Sequence, residues 1–279
     1  MGTKIKQTKE QRYKEFKDAL DAFWKDSCKD NSRYKSWEYC YEQFYRARDK
    51  ELEEKDYELL SLHLSFYLAS WGMFRNSFLL ERDYKIHINV IKEILNPRYK
   101  HLFGIDCDKL DNENWELLQE LIGKDDEGGI RGIYSKIRKE VYKEVYKMKP
   151  PKEGVSDILI TKVLMGTLGC VPAYDRYFKN AVAGIVEIKK GNKPKEVKFK
   201  RNIASKSFSQ KSINNLVSFY KTHNEDLESK RETMKIADDI EYPQMKLLDM
   251  GFWKLGLEDK IEFEKTNKQL INLHPESDF

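Results

Sequence analysis

Cysteine, glycine and proline are all scarce in this chain of 279 residues, at 4, 14 and 7. The cysteines, Cys28, Cys40, Cys107 and Cys170, form no CxxC pair. That spacing argues against a zinc or iron–sulfur framework and against a disulfide-stapled secreted fold. So little glycine and proline excludes collagen-like, linker-dominated and turn-rich all-β chains. No apolar run approaches the roughly 18 residues of a membrane-spanning helix. The opening MGTKIKQTKEQRYKEF is charged throughout and lacks the apolar core of a signal peptide. Gly2-Thr3-Lys4-Ile5-Lys6 lacks the Ser or Thr of a myristoylation signal. No GxGxxG, GxxxxGK[ST], GxSxG or HExxH motif occurs. These absences predict a soluble cytoplasmic protein with no metal, no cofactor and no membrane partner. They leave the oligomeric state open.

Charged residues are abundant, at 35%, and so are aromatics, at 13%. Disordered chains are poor in aromatics, so 16 Tyr, 14 Phe and 5 Trp predict a folded body under a charged surface. The net charge is only +4, but residues 186–211 hold nine basic residues against two acids. A basic stretch on a near-neutral body is the footprint of a phosphate-backbone binder, or else a solvated lysine-rich loop.

Apolar residues recur at helical spacing nearly everywhere. Tyr13, Phe16, Ala19, Leu20 and Phe23 form one stripe; Ile130, Ile133, Tyr134, Ile137, Val141, Tyr142, Val145 and Met148 form another. Leu59 to Leu80 is apolar on more than one face, which predicts a central helix pair broken near Gly72. A helix from about Ile86 stops at Asn96-Pro97, and one through Trp115 is capped by Asp111 or Asn112 and ended by Gly123. Pro150-Pro151 ends the long helix that follows. Ser156 then caps the apolar ILITKVLMG, and Cys170-Val171-Pro172 crosses to a helix starting near Ala173 or Tyr174, with Asp175 in its first turn. Alternation about Gly191-Asn192 allows a short basic β-hairpin at 186–199. Ser209 caps a helix through Tyr220. A final helix pair is expected at 228–240 and 243–255, with a peripheral tail from Thr266. The expected fold is mostly α: one multi-helix globular domain over 1–279 with a helix-hairpin-helix-like core and a small basic hairpin insertion. Its lobes would be 1–125 with 209–265, 126–185, and 186–208.

The most distinctive string runs from Gly154 to Asp175, GVSDILITKVLMGTLGCVPAYD. It resembles the core of the helix-hairpin-helix DNA glycosylases, whose pattern is a glycine-containing hairpin turn, an apolar helix, a proline crossover and a catalytic aspartate. The resemblance implies a DNA partner, with a base flipped out of the duplex, and Asp175 as the catalytic carboxylate. Leu68-Ala69-Ser70-Trp71 occupies a position like that family's early base-pocket helix. This sequence departs from the pattern at two places. The hairpin's usual second glycine is Ser156, and the position eighteen residues before Asp175, where bifunctional members carry a lysine, is Asp157. The resemblance therefore implies a monofunctional enzyme. YLASWGMFRNSFLL and GCVPAYDRYF are also similar to bacterial helical proteins, a resemblance that implies a place with the prokaryotic antiphage glycosylases acting on modified cytosines.

The chemistry can be read from the residues as well. Breaking an N-glycosidic bond builds positive charge on the sugar, and a nearby carboxylate stabilises that charge and can orient or deprotonate water. Base flipping needs phosphate anchors and stacking surfaces. Backbone N–H groups of Gly154, Val155 and Ser156 are candidate phosphate ligands, with Arg176, Lys198, Lys200 and Arg201 holding the strand. Trp71, Tyr174 and Tyr177 are candidate base-pocket walls, though aromatics at this spacing also serve as core. Asp175 equally suits a plain helix-capping role. Asp249 and Trp253, at i and i+4 on one helix, are placed either to border a pocket or to pack. Two other functions stay open. Arg82 and His87 have the spacing of the catalytic pair in HEPN-type helical ribonucleases, and a non-enzymatic helical nucleic-acid-binding module is the third reading.

Overall fold

The computed structural model describes residues 9–190, 193–198 and 203–273, with side chains described outside 185–198 and 262–273. Local signals place most of its helices. α1 (Lys9–Ser27), α2 (Lys35–Ala47) and α3 (Glu54–Ser70) are followed by short 3-10 turns at Phe78–Glu81 and Tyr84–His87. Then come α4 (Ile88–Ile94), a 3-10 segment Pro97–Leu102, α5 (Asn112–Ile122), α6 (Gly129–Glu144), α7 (Asp157–Thr167) and α8 (Arg176–Ala183). The chain continues as an antiparallel hairpin of β1 (Ile185–Lys190) and β2 (Lys193–Lys198), then α9 (Gln210–Thr222) and α10 (Asn224–Glu232). A second short hairpin, β3 (Lys235–Ala237) with β4 (Ile240–Glu241), leads into α11 (Gln244–Leu273). The fold is mostly helical, as the sequence predicts. No helix among the described residues is long and apolar enough to cross a membrane.

Two compact units account for these elements, and their boundaries differ from the lobes expected from sequence. The first comprises residues 1–26, 174–219 and 248–279; the second comprises 27–173 and 220–247. In the first unit the stripe of α1 meets α9 and α11 through rings. Phe16 lies 5.1 Å from Phe219 and 4.7 Å from Phe252, and Phe178 of α8 meets Phe252 edge-on at 6.0 Å. α11 approaches this cluster through Gly251, where a Cβ would sit 2.3 Å from the Phe16 ring.

The second unit is centred on α7, in which every side chain from Leu159 to Thr167 is buried. Ser156 caps it, accepting from the Leu159 amide at 3.3 Å. Around it lie the apolar faces of α2 and α3. The Trp37 indole N–H donates to the Met165 carbonyl at 2.8 Å, and α3 closes on Gly166, where a Cβ would lie 2.5 Å from the Tyr67 ring.

Five expectations about elements need correction. The apolar segment 59–80 is one helix that ends at Ser70, not a pair. Gly72 and Asn76 both take positive φ, so the chain leaves the helical basin and recovers only a 3-10 turn. α6 stops at Glu144, six residues before Pro150, because Lys147 turns into the left-handed region at φ +54°. Asp175 is the N-cap of α8 rather than a first-turn residue, and the helix starts at Arg176. Residues 235–241 form a hairpin, not a helix end, because Asp238-Asp239 make its turn and Lys235 pairs with Glu241 at 2.9 Å. Finally, the last helix does not end at Leu255: α11 continues to Leu273, past the start at Thr266 of the tail expected to be peripheral.

Candidate functional site

Asp175 sits in the first unit, at the end of the extended crossover after Pro172, with φ −78° and ψ 179°. Its Oδ1 accepts from the Tyr177 and Phe178 amides at 3.0 and 3.2 Å, and its Oδ2 accepts from the Trp253 indole N–H at 3.1 Å. Both oxygens are thereby oriented, and the carboxylate's charge lies on the positive end of the α8 dipole. Trp253 is itself clamped, edge-on to Tyr177 at 5.6 Å and to Phe23 at 5.9 Å. The neighbouring Arg176 lies over the Tyr177 ring at 5.1 Å, and Lys260 approaches the same ring at 5.9 Å. Asp175, Arg176 and Tyr177 are thus one corner, a half-buried carboxylate against an aromatic and cationic wall. Tyr174 does not line it as an open stacking surface. The ring is buried, and its hydroxyl donates to Ser212 at 2.9 Å.

Trp71 and the 154–156 turn belong to the second unit. The turn differs from the expected phosphate cradle in one respect. The Val155 amide donates to Asp125 at 3.2 Å, and a Cβ on Gly154 would fall 1.8 Å from the other Asp125 oxygen. The protein's own carboxylate therefore holds that amide, and a phosphate would have to displace it. Arg131 braces the same turn, donating to the Val155 carbonyl at 2.5 Å and to Asp157 at 2.7 Å.

Trp71 is ringed by cations. Lys162 lies 5.1 Å, Arg33 5.4 Å and Lys246 5.9 Å from its ring, and Tyr34 tilts against it at 5.7 Å. Lys162 and Lys246 are only 3% and 2% exposed. Neither stands out by charge pattern, but each is a lone lysine in an apolar helical run, ILITKVLMG or QMKLLDMGF, and that is the signal that finds them.

No family model, no curated protein and no solved structure matches this chain. The chemistry of these residues is what bears on function.

The ribonuclease-type pair fares poorly on that basis. Arg82 and His87 do not share a helix: Arg82 caps one 3-10 turn, and His87 ends the next. His87 is fully buried with Nδ1 hydrogen-bonded to the Tyr134 hydroxyl at 2.7 Å, and burial pushes its pKa down to about 3. Arg82 is engaged by Glu144 at 2.9 Å. A polar pocket of about 510 Å³ in the second unit includes Cys107, whose thiol burial pushes up to about 12, far from a reactive thiolate. Its Glu228 accepts from Tyr220, Gln244 and Arg231 at 2.8, 2.5 and 2.7 Å, an arrangement that ties helices together. Of the expected strand-holding cations, Lys198 ends β2 with its side chain undescribed, and Lys200 and Arg201 lie outside the described residues.

Proposed function

We propose that this protein is a monofunctional DNA glycosylase in which Asp175 stabilises the sugar cation. The observation that carries the reading is the oriented carboxylate at the α8 N-terminus, held by two amides and an indole N–H beside an aromatic wall. Such a group needs no reorganisation when positive charge develops at C1′. In the reaction, the C1′–N bond breaks and the base leaves with the electron pair. Water then adds to C1′, giving up a proton to Asp175 or to solvent, and an abasic site remains. Asp157, in the position of the family's lysine, is engaged by Arg131, which supports hydrolysis without a covalent sugar adduct. Bases modified at cytosine are the substrate class that the resemblance suggests.

The test compares plasmid DNA with and without modified cytosines, scoring abasic sites by alkaline strand breakage. Asp175→Asn is the informative variant because asparagine caps helices as well as aspartate does. It keeps the cap but sets an amide NH2 against the Trp253 N–H, so it is expected to stay folded with a modestly lower melting temperature and to release base about 100- to 1000-fold more slowly. Undiminished release by the folded variant, or intact DNA on every substrate, would remove this reading. Strand breaks without alkali would instead indicate a lyase.

A further inference from the structure

The stripe on α6 buries Ile130, Tyr134 and Val141, and then fails. One turn later Val145, Tyr146 and Met148 stand 41%, 37% and 59% exposed, although their spacing continues the apolar pattern. The backbone here is folded back and held. The Tyr146 amide donates to the Val141 carbonyl at 3.3 Å, and the Met148 amide donates to that of Tyr142 at 3.0 Å. Lys147 between them takes φ +54°, a conformation costly for a residue with a Cβ. Side chains brace both limbs of the turn: Tyr146 stands edge-on to Tyr142 at 5.0 Å and donates to Glu81, while Arg138 lies over Tyr142 and donates to the Pro151 carbonyl at 3.2 Å. Around this apolar tip stand Lys143, Lys147, Lys149 and Lys152, all exposed. Of the nearby acids, Glu144 is taken by Arg82, while Glu140 and Glu153 bound the lysine-bearing stretch on either side.

From this geometry we infer a docking surface for duplex DNA, in which Lys143, Lys147, Lys149 and Lys152 hold backbone phosphates while Tyr146 and Met148 press into the groove. The complementarity is specific in kind. A duplex presents rails of negative charge on either side of a groove floored by sugars and base edges, and apolar wedges that include methionine are inserted there by minor-groove proteins. A held tip loses little further freedom on binding. The choice of DNA as occupant rests on the function proposed above; the surface itself does not depend on Asp175.

The experiment measures affinity of the full chain for a fluorescent 20-base-pair duplex across a salt series. Neutralising all four lysines (Lys143→Gln, Lys147→Gln, Lys149→Gln, Lys152→Gln) should weaken binding at low salt and flatten the log K against log salt slope. The flattening should be roughly 0.9 for each phosphate that a lysine no longer neutralises. Met148→Gln should weaken binding several-fold at every salt concentration with the slope retained, since an apolar side chain releases no counterions. A comparator without four other exposed lysines (Lys14→Gln, Lys25→Gln, Lys50→Gln, Lys221→Gln) should keep more of its affinity. The surface is disproved if the first variant binds like the wild type, if the comparator is weakened as much, or if the chain binds phosphatidylserine vesicles but not DNA. Base release that needs Asp175 but ignores the four lysines would defeat this surface alone. Lysine-dependent binding without any base release would defeat the glycosylase reading alone.

Discussion

At the scale of single residues, Asp175 and His87 show how one environment can serve or forbid chemistry. Asp175 caps α8 and is oriented and half-exposed; His87 is sealed. The Trp253 N–H on Asp175 is the interaction most open to test, because phenylalanine keeps the ring packed against Tyr177 and removes only the donor. On the glycosylase reading proposed above, Trp253→Phe is expected to lower the base-release rate about tenfold, the effect of removing one hydrogen bond to a charged acceptor. DNA affinity should be unchanged, which separates positioning of the carboxylate from binding. His87 makes a different prediction. Its pKa falls from 6.5 to about 3 on folding, so between those values the unfolded chain holds a proton that the native protein does not. Stability from this residue is full above pH 6.5 and declines as pH drops, by about 1.4 kcal/mol per unit. Urea midpoints at pH 7 and pH 5 should therefore differ by more for the wild type than for His87→Gln, which cannot titrate.

At the scale of elements, sequence and structure agree wherever the signal is local. Asp111 accepts from the Asn114 amide at 2.9 Å at the start of α5, and Gly123 ends that helix at φ +66°, as their residue types foretell. α7 is likewise legible from Ser156 and its apolar run. Failures occur where periodicity continues after the helix has stopped. Val145 and Met148 fit the α6 stripe in sequence, but the turn at Lys147 leaves them outside the core. Residues 235–241 mislead because α10 stops at Glu232 and the chain becomes extended before turning back at Asp238-Asp239. Close approach of helices is another element-scale property, and Gly251 tests it. Alanine gains roughly 1 kcal/mol of helix propensity, yet its Cβ would sit 2.3 Å from the Phe16 ring. Gly251→Ala is expected to destabilise the protein by about 1–3 kcal/mol, read as a lower urea midpoint, with part recovered by adding Phe16→Leu.

At the scale of the whole molecule, charge and topology matter more than any single pairing. Residues 186–211 carry nine basic residues against two acids, and among the described residues β1 and β2, which start at Ile185 and run into that segment, pair only with each other. Replacing Ile185–Lys198 by a short Gly-Ser connection should leave the melting temperature nearly unchanged. The same replacement should flatten the salt dependence of DNA binding, by roughly 0.9 for each phosphate that the segment neutralises. An unaltered slope would assign that segment to solvation alone.

Periodicity, capping chemistry and charge determined which segments coil into helices, which turns carry caps, and that a basic hairpin interrupts them. These properties depend on neighbours within a few residues, so they are written locally. Only the tertiary structure decided that the Trp253 N–H meets Asp175 across 78 positions, that Asp125 takes the Val155 amide, and that Lys162 and Lys246 converge on Trp71. Each of those pairings follows from how buried faces pack between helices distant in sequence, and no local pattern encodes which distant side chain a face will bring.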